Sequence, residues 1–145
     1  MATGTGSQTT LSMTDAADRA LWAVGCGNVY GVAFSKDGGR AVWCVDIRKD
    51  RWSGATCQVD VVNGQVYVRE TSCVPSVVFD RVPRMSLEDA IELATEVKTG
   101  ELEEARLEIN WGRTVWEVYV LDEERSSHVV YVDGDSGAIV EPMYY

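Results

Sequence analysis

The sequence predicts an α+β protein of two tandem modules, each one helix packed on a four-stranded antiparallel sheet. Three observations carry this reading: an internal repeat at a fixed offset, an amphipathic stripe opening each copy, and a change to two-residue periodicity after it. Arg40, Val42, Trp43 and Val45 recur as Arg113, Val115, Trp116 and Val118, an offset of 73 residues. The same offset aligns Ala17 with Ala90, Val24 with Val97, Gly27 with Gly100, Gly39 with Gly112, Val59 with Val132, Asp60 with Asp133 and Gly64 with Gly137. Matched glycines and apolar residues are those that set turns and core. The chain thus divides into a flexible tether at 1–11, repeat one at 12–72, a connector at 73–84 and repeat two at 85–145.

In repeat two, Ser86 followed by Asp89 is a helix-capping pattern, and Leu87, Ala90, Ile91, Ala94 and Val97 share one helical face until Gly100 ends it. Repeat one follows with Met13, Ala17, Ala20, Leu21 and Val24 as the stripe and Gly27 as the stop. Beyond each helix the period becomes two. Trp116, Val118 and Val120 turn toward the helix, while Val115, Glu117 and Tyr119 take the other sheet face; Trp43, Val45 and Ile47 repeat the pattern. Gly38-Gly39, Asn63-Gly64, Trp111-Gly112 and Ser136-Gly137 mark hairpin turns. The connector holds Val77, Val78 and Phe79, too apolar for a solvated linker, and is expected to pack and fix the repeats relative to one another.

Composition narrows the class. With 145 residues, 46% hydrophobic and 25% charged, the chain reads as globular, and each half is near the lower size limit for a self-sufficient core. No stretch approaches the roughly 20 apolar residues of a membrane span. The polar opening from Met1 to Thr10 fits a protein whose export or lipid-anchor segment has been removed.

The run Ser86-Leu-Glu-Asp-Ala-Ile91, then Val115-Trp-Glu-Val-Tyr-Val120, then Val130-Tyr-Val-Asp-Gly-Asp-Ser-Gly137 resembles the PepSY pattern of a helix, a central strand and a closing hairpin. Repeat one is similar at Ala41 to Ile47 and Val59 to Gly64, with Cys44 and Cys57 at departures from the pattern. The resemblance implies two cystatin-like modules of a bacterial secreted or envelope protein, binding or restraining a peptidase, with no catalytic residues to carry over. Alternatives are an inhibitor of another secreted enzyme, with an architecture like a β-lactamase inhibitor, and a structural envelope-assembly module.

The residues themselves point away from catalysis. His128 is the single histidine, and no nucleophile elbow, phosphate loop or metal-ligand spacing of cysteines occurs, so no cofactor and no metal site is assigned. Asp133, Asp135 and Gly137 match the opening of a calcium loop, but its twelfth position is Tyr144 where a bidentate acid should stand. An Asp–Gly turn is the simpler reading.

All four cysteines, Cys26, Cys44, Cys57 and Cys73, lie in the first half, an even number where a small core most needs covalent help. Strand parity puts Cys57 on the helix face and Cys44 on the other, so these two should not pair. One arrangement joins Cys26 to Cys57 and Cys44 to Cys73 and is preferred; another joins Cys26 to Cys73, and four reduced thiols are a further alternative.

Residues up to Ser72 carry seven basic and seven acidic side chains, the rest six and sixteen, so the second half supplies the whole net charge of −10. Such a field disfavours nucleic acid and anionic membranes. It serves either a basic partner or solubility. Trp52 in the loop from Arg48 to Gly54 and Trp111 at a hairpin tip, with Tyr119 and Tyr131 on the outward sheet face, are the candidate protein-binding residues.

Overall fold

A computed structural model describes residues 11–50, 52–71, 82–110 and 112–140. Its elements are α1 (Met13–Val24), β1 (Asn28–Asp37), β2 (Arg40–Arg48), β3 (Gly54–Asp60), β4 (Val66–Thr71), α2 (Leu87–Val97), β5 (Glu101–Asn110), β6 (Arg113–Leu121), β7 (Ser127–Asp133) and β8 (Ile139–Val140). The expected packing of Val77, Val78 and Phe79 falls outside the described residues, as do Cys73, Trp111 and tether positions 1–10.

The α+β class holds, but the two expected sheets are one. All eight strands form a single antiparallel sheet in the order β4-β3-β2-β1-β5-β6-β7-β8. The seam is short: Gly31 pairs with Arg106, Val32 with Ala105 and Ala33 with Glu104. Directly paired residues share a sheet face, so Cys57, Val45, Val32, Ala105, Val118 and Val130 form one buried row across six strands. Helix α1 packs on this face over β1 to β4 and α2 over β6 and β7, giving one continuous core.

Both helices begin alike. The Ser12 hydroxyl accepts the Asp15 N–H and Ser86 accepts that of Asp89, each at 3.1 Å. The buried positions are Met13, Ala16, Ala17 and Ala20 in α1, and Leu87, Ala90, Ile91 and Ala94 in α2. The helices therefore align at an offset of 74, not 73, and Ala17 corresponds to Ile91. The expected stripe missed Ala16 and wrongly included Val97, which is exposed.

The extra residue in the first half sits at the helix end. Helix α1 stops at left-handed Gly25, whereas α2 stops at extended Lys98. Gly27 and Gly100 are thus not helix stops. Each is pressed onto the end of a strand, where a Cβ would collide with the carbonyl oxygen of Arg48 and of Leu121, respectively. The offset is 73 from these glycines onward, and the bulges after Val29 and after Leu102 keep it.

Trp43 and Trp116 anchor the two helix entries. Both are buried, and their indole N–H groups donate to the Leu11 and Met85 carbonyls, each at 2.9 Å. Leu11, assigned to the tether from sequence, is accordingly part of the fold; its own N–H donates to Val61. Val115 takes the face away from the helices, as its parity requires, yet is fully buried, as is nearly all of Val42.

The closing turns also match. Asp60 Oδ1 accepts the Val62 and Asn63 N–H groups, and Asp133 Oδ1 accepts those of Asp135 and Ser136. Their second oxygens pair with Arg40 at 3.1 Å and Arg113 at 3.4 Å, and Gly64 and Gly137 complete the turns at positive φ. The Asp133 carboxylate is thereby engaged by its own turn, which supports the turn reading over a calcium loop. Amide donors hold both carboxyls below the usual carboxylate range, chiefly Asn63 N–H for Asp60 and Ser136 N–H for Asp133.

With the folded pKa below the unfolded one, this stabilisation is complete above about pH 4 and is lost as pH falls through the folded value. Asp46 opposes it, because burial raises its pKa. Urea midpoints measured from pH 6 down to 2 should fall in the native protein. In the Asp60→Asn/Asp133→Asn double variant they should fall less, since asparagine still accepts the amides but does not titrate; an unchanged acid limb would refute the assignment.

Candidate protein-binding surface

Trp52 sits in the β2–β3 loop, residues 49–53. Asp50 Oδ1 accepts the N–H groups of Trp52 at 2.8 Å and Ser53 at 2.9 Å, and Lys49 N–H donates to the Ser53 carbonyl. Arg48 Nε donates to the Asp50 carbonyl, and the Trp52 residue stays 72% exposed. A second tryptophan lies at the same end of the first half. Trp22 is 88% exposed on the outer face of α1, near the C-terminus that Gly27 draws over the end of β2. The sequence reading did not single it out.

The second half shows that the fold itself needs neither ring. Its β6–β7 loop, residues 122–126, has the same length, and Asp122 N–H donates to Ser126 just as Lys49 donates to Ser53. At the position of Trp52 stands Arg125, and at that of Trp22 stands Glu96, both exposed. His128 bonds to Asp122 at 2.7 Å and serves this loop. Two rings are thus exposed at places where the second half carries charged residues, and exposed aromatics of this kind are typical interface anchors.

Tyr119 and Tyr131 lie together on the open face as diagonal neighbours, since Glu117, two positions before Tyr119, pairs directly with Tyr131. The Tyr119 hydroxyl donates to Glu117 at 3.1 Å, and Asn110 donates to the other Glu117 oxygen at 2.6 Å. Burial, then the bond to Glu117, pushes the Tyr119 phenol up to about 12. Arg106 extends this polar surface by donating to Glu104 and pairing with Asp46, whose other oxygen accepts the Thr56 hydroxyl. Gly31 lies between Arg106 and Asp46, which meet across β1; a Cβ there would stand in ordinary contact, 3.4 Å from each. The structure does not bring Trp52 to the tyrosines: Tyr131 is four strands from β2, about 19 Å. Trp111 lies outside the described residues.

On the helix face, the space between the helices forms two grooves. One, of about 600 Å³, is lined by Leu11, Met13, Trp43 and Leu102; the other, of about 260 Å³, by Met85, Leu87, Trp116 and Val29. Each joins the helix entry of one half to the first strand of the other. Among the described residues no three metal-ligating side chains converge, and no helix is long and apolar enough to cross a membrane.

The preferred cysteine pairing is not found. Cys26 and Cys57 are both free thiols. Parity placed Cys57 correctly, buried opposite Val45, with Cys44 opposite Gln58 on the other face. Cys26, however, follows the left-handed Gly25 and turns to solvent, away from the core that holds Cys57. The partner proposed for Cys44, Cys73, is outside the described residues.

Residues 84–141 match the PepSY family, described as peptidase propeptide and YPEB domain. Among solved structures, a candidate lipoprotein from Clostridium difficile 630 shares the fold at a TM-score of 0.54 and 15% identity, over 92% of each chain. No curated protein matches.

Burial pushes the Cys57 thiol up to about 11. Brief iodoacetamide treatment of the native protein at pH 8 should therefore modify Cys26 and spare Cys57 until urea is added. Peptide mapping reads both sites, and a Cys26–Cys57 bridged peptide would refute the free-thiol assignment.

Proposed function

We propose that the chain is a non-catalytic, secreted or envelope protein built of two PepSY-like modules, which binds and restrains a peptidase. The observation that carries this reading is the PepSY match over residues 84–141. Its support in the first half is geometric: a serine cap, an indole bonded to the carbonyl before the cap, a bulged first strand and an Arg–Asp turn occur at corresponding places in residues 11–71. The lipoprotein-like neighbour of the same fold is consistent with an envelope location.

Binding is assigned to the end of the first half that carries Trp22 and Trp52, with Tyr119 and Tyr131 as a second, more polar surface whose groups are largely engaged by one another. Basic character in the partner would complement the acidic second half.

The test is stoichiometric inhibition of peptidases recovered from the envelope fraction of the source cells, followed by titration of the purified pair. Replacing Trp22 and Trp52 by alanine should shift stability by less than about 0.5 kcal/mol per site. Loss of a true anchor weakens binding by about 2 kcal/mol, roughly thirtyfold. Full affinity in the double variant would move the site to the tyrosine face, and no inhibition of any captured peptidase would overturn the peptidase reading.

A further inference from the structure

Strands β4 and β8 are the two edges of the sheet. Strand β8 is described over Ile139–Val140, and an edge strand is a ready template for pairing with another chain. Strand β4, at the other edge, runs six residues as Val-Tyr-Val-Arg-Glu-Thr, without proline and in unbroken register with β3 from Val66 to Thr71. Among the described residues it has a strand on one side only. The Asp60 N–H donates to Gln65 at the mouth of the β3–β4 hairpin, which sets the alternation along the ladder. Tyr67 and Arg69 then direct their backbone groups to β3, and Val66, Val68 and Glu70 direct theirs outward.

We propose that β4 is a self-association edge, at which two copies pair antiparallel about a two-fold axis at Val68 and extend the sheet to sixteen strands. This goes beyond the peptidase reading and uses a different surface. In this register each Val68 exchanges its outward N–H and C=O with Val68 of the second copy, and Val66 does the same with Glu70. Every residue keeps its sheet face, because the paired positions have the same parity. Tyr67 then meets Arg69 of the second copy on the open face, twice per dimer. Tyr67 already takes one cation, with the Arg40 guanidinium 5.2 Å from its ring centre, yet remains 45% exposed; Val68 is 43% exposed. Shifting the axis to Arg69 would set two arginines against each other, and shifting it to Tyr67 would leave Arg69 without the aromatic.

Charge selects a second copy as the occupant. The half that bears β4 has seven basic and seven acidic residues, while the net charge of −10 lies in the other half. Pairing through β4 therefore joins two electrically neutral halves and holds the two acidic halves at opposite ends of the assembly.

Sedimentation equilibrium of the full chain should show a mass that rises with concentration from 16.0 kDa toward twice that value. Val68→Pro removes the central outward N–H without touching the β3 ladder, and should give a folded monomer by circular dichroism and urea unfolding. Arg69→Glu, a surface change that leaves every backbone bond, should weaken the dimer roughly tenfold by removing two cation–π contacts. A monomer at every attainable concentration, or a dimer that both variants leave intact, would overturn the proposal.

Discussion

Three residue pairs, Gly31 with Arg106, Val32 with Ala105 and Ala33 with Glu104, join two four-stranded halves into one sheet, and the core depends on that joint. Each half alone is about 60 residues, a size at which the surface buried on folding barely offsets chain entropy. Unpaired, β1 and β5 would also be exposed ten-residue edges. At the seam Val32 and Ala105 are wholly buried on the helix side. On the open side Arg106 meets Asp46 across Gly31. The joint thus has an apolar and a polar face.

Much of this was legible in the sequence because turn chemistry and apolar spacing are local. The Ser86 cap, the Asp–Gly turns and the inward faces of Trp43 and Trp116 all follow from residue type and period. What escaped was of another kind. Period two tells which face a residue takes but not which strand lies beside it, so the fusion of two sheets through β1 and β5 carried no signal. The one-residue slip between helices was hidden because alanines recur along both, and Ala17 matches Ala90 as readily as Ala16 does. The cysteine count was a sound argument from composition, but it could not foresee that the backbone turns at Gly25 and sends Cys26 outward.

The candidate surface was half legible for a related reason. Trp52 announced itself by standing in a loop between strands. Trp22 did not, since a tryptophan within a helix reads as apolar filling, although its absence from the predicted stripe was already a sign of exposure. Comparison of the halves supplies the missing criterion. Where two stretches of chain build corresponding elements, residues that agree serve the fold, and those that differ are free to serve something else. Trp22 against Glu96 on the helices and Trp52 against Arg125 in loops of equal length are differences of this kind, and both tryptophans lie at one end of the first half.

The seam also governs the order of events as the chain acquires its structure. Within each half, β-strands pair with sequence neighbours across short turns, contacts that form quickly. Positions 31 and 106, by contrast, lie on opposite sides of the connector, α2 and part of β5, so their meeting closes a long loop whose entropy is lost before the three pairs return anything. During synthesis the first half emerges with β1 still waiting for a neighbour not yet made. Its glycine-bearing edge is then open to wrong partners, and the interval until β5 arrives is the period in which this protein is most exposed to aggregation or to the help of a chaperone.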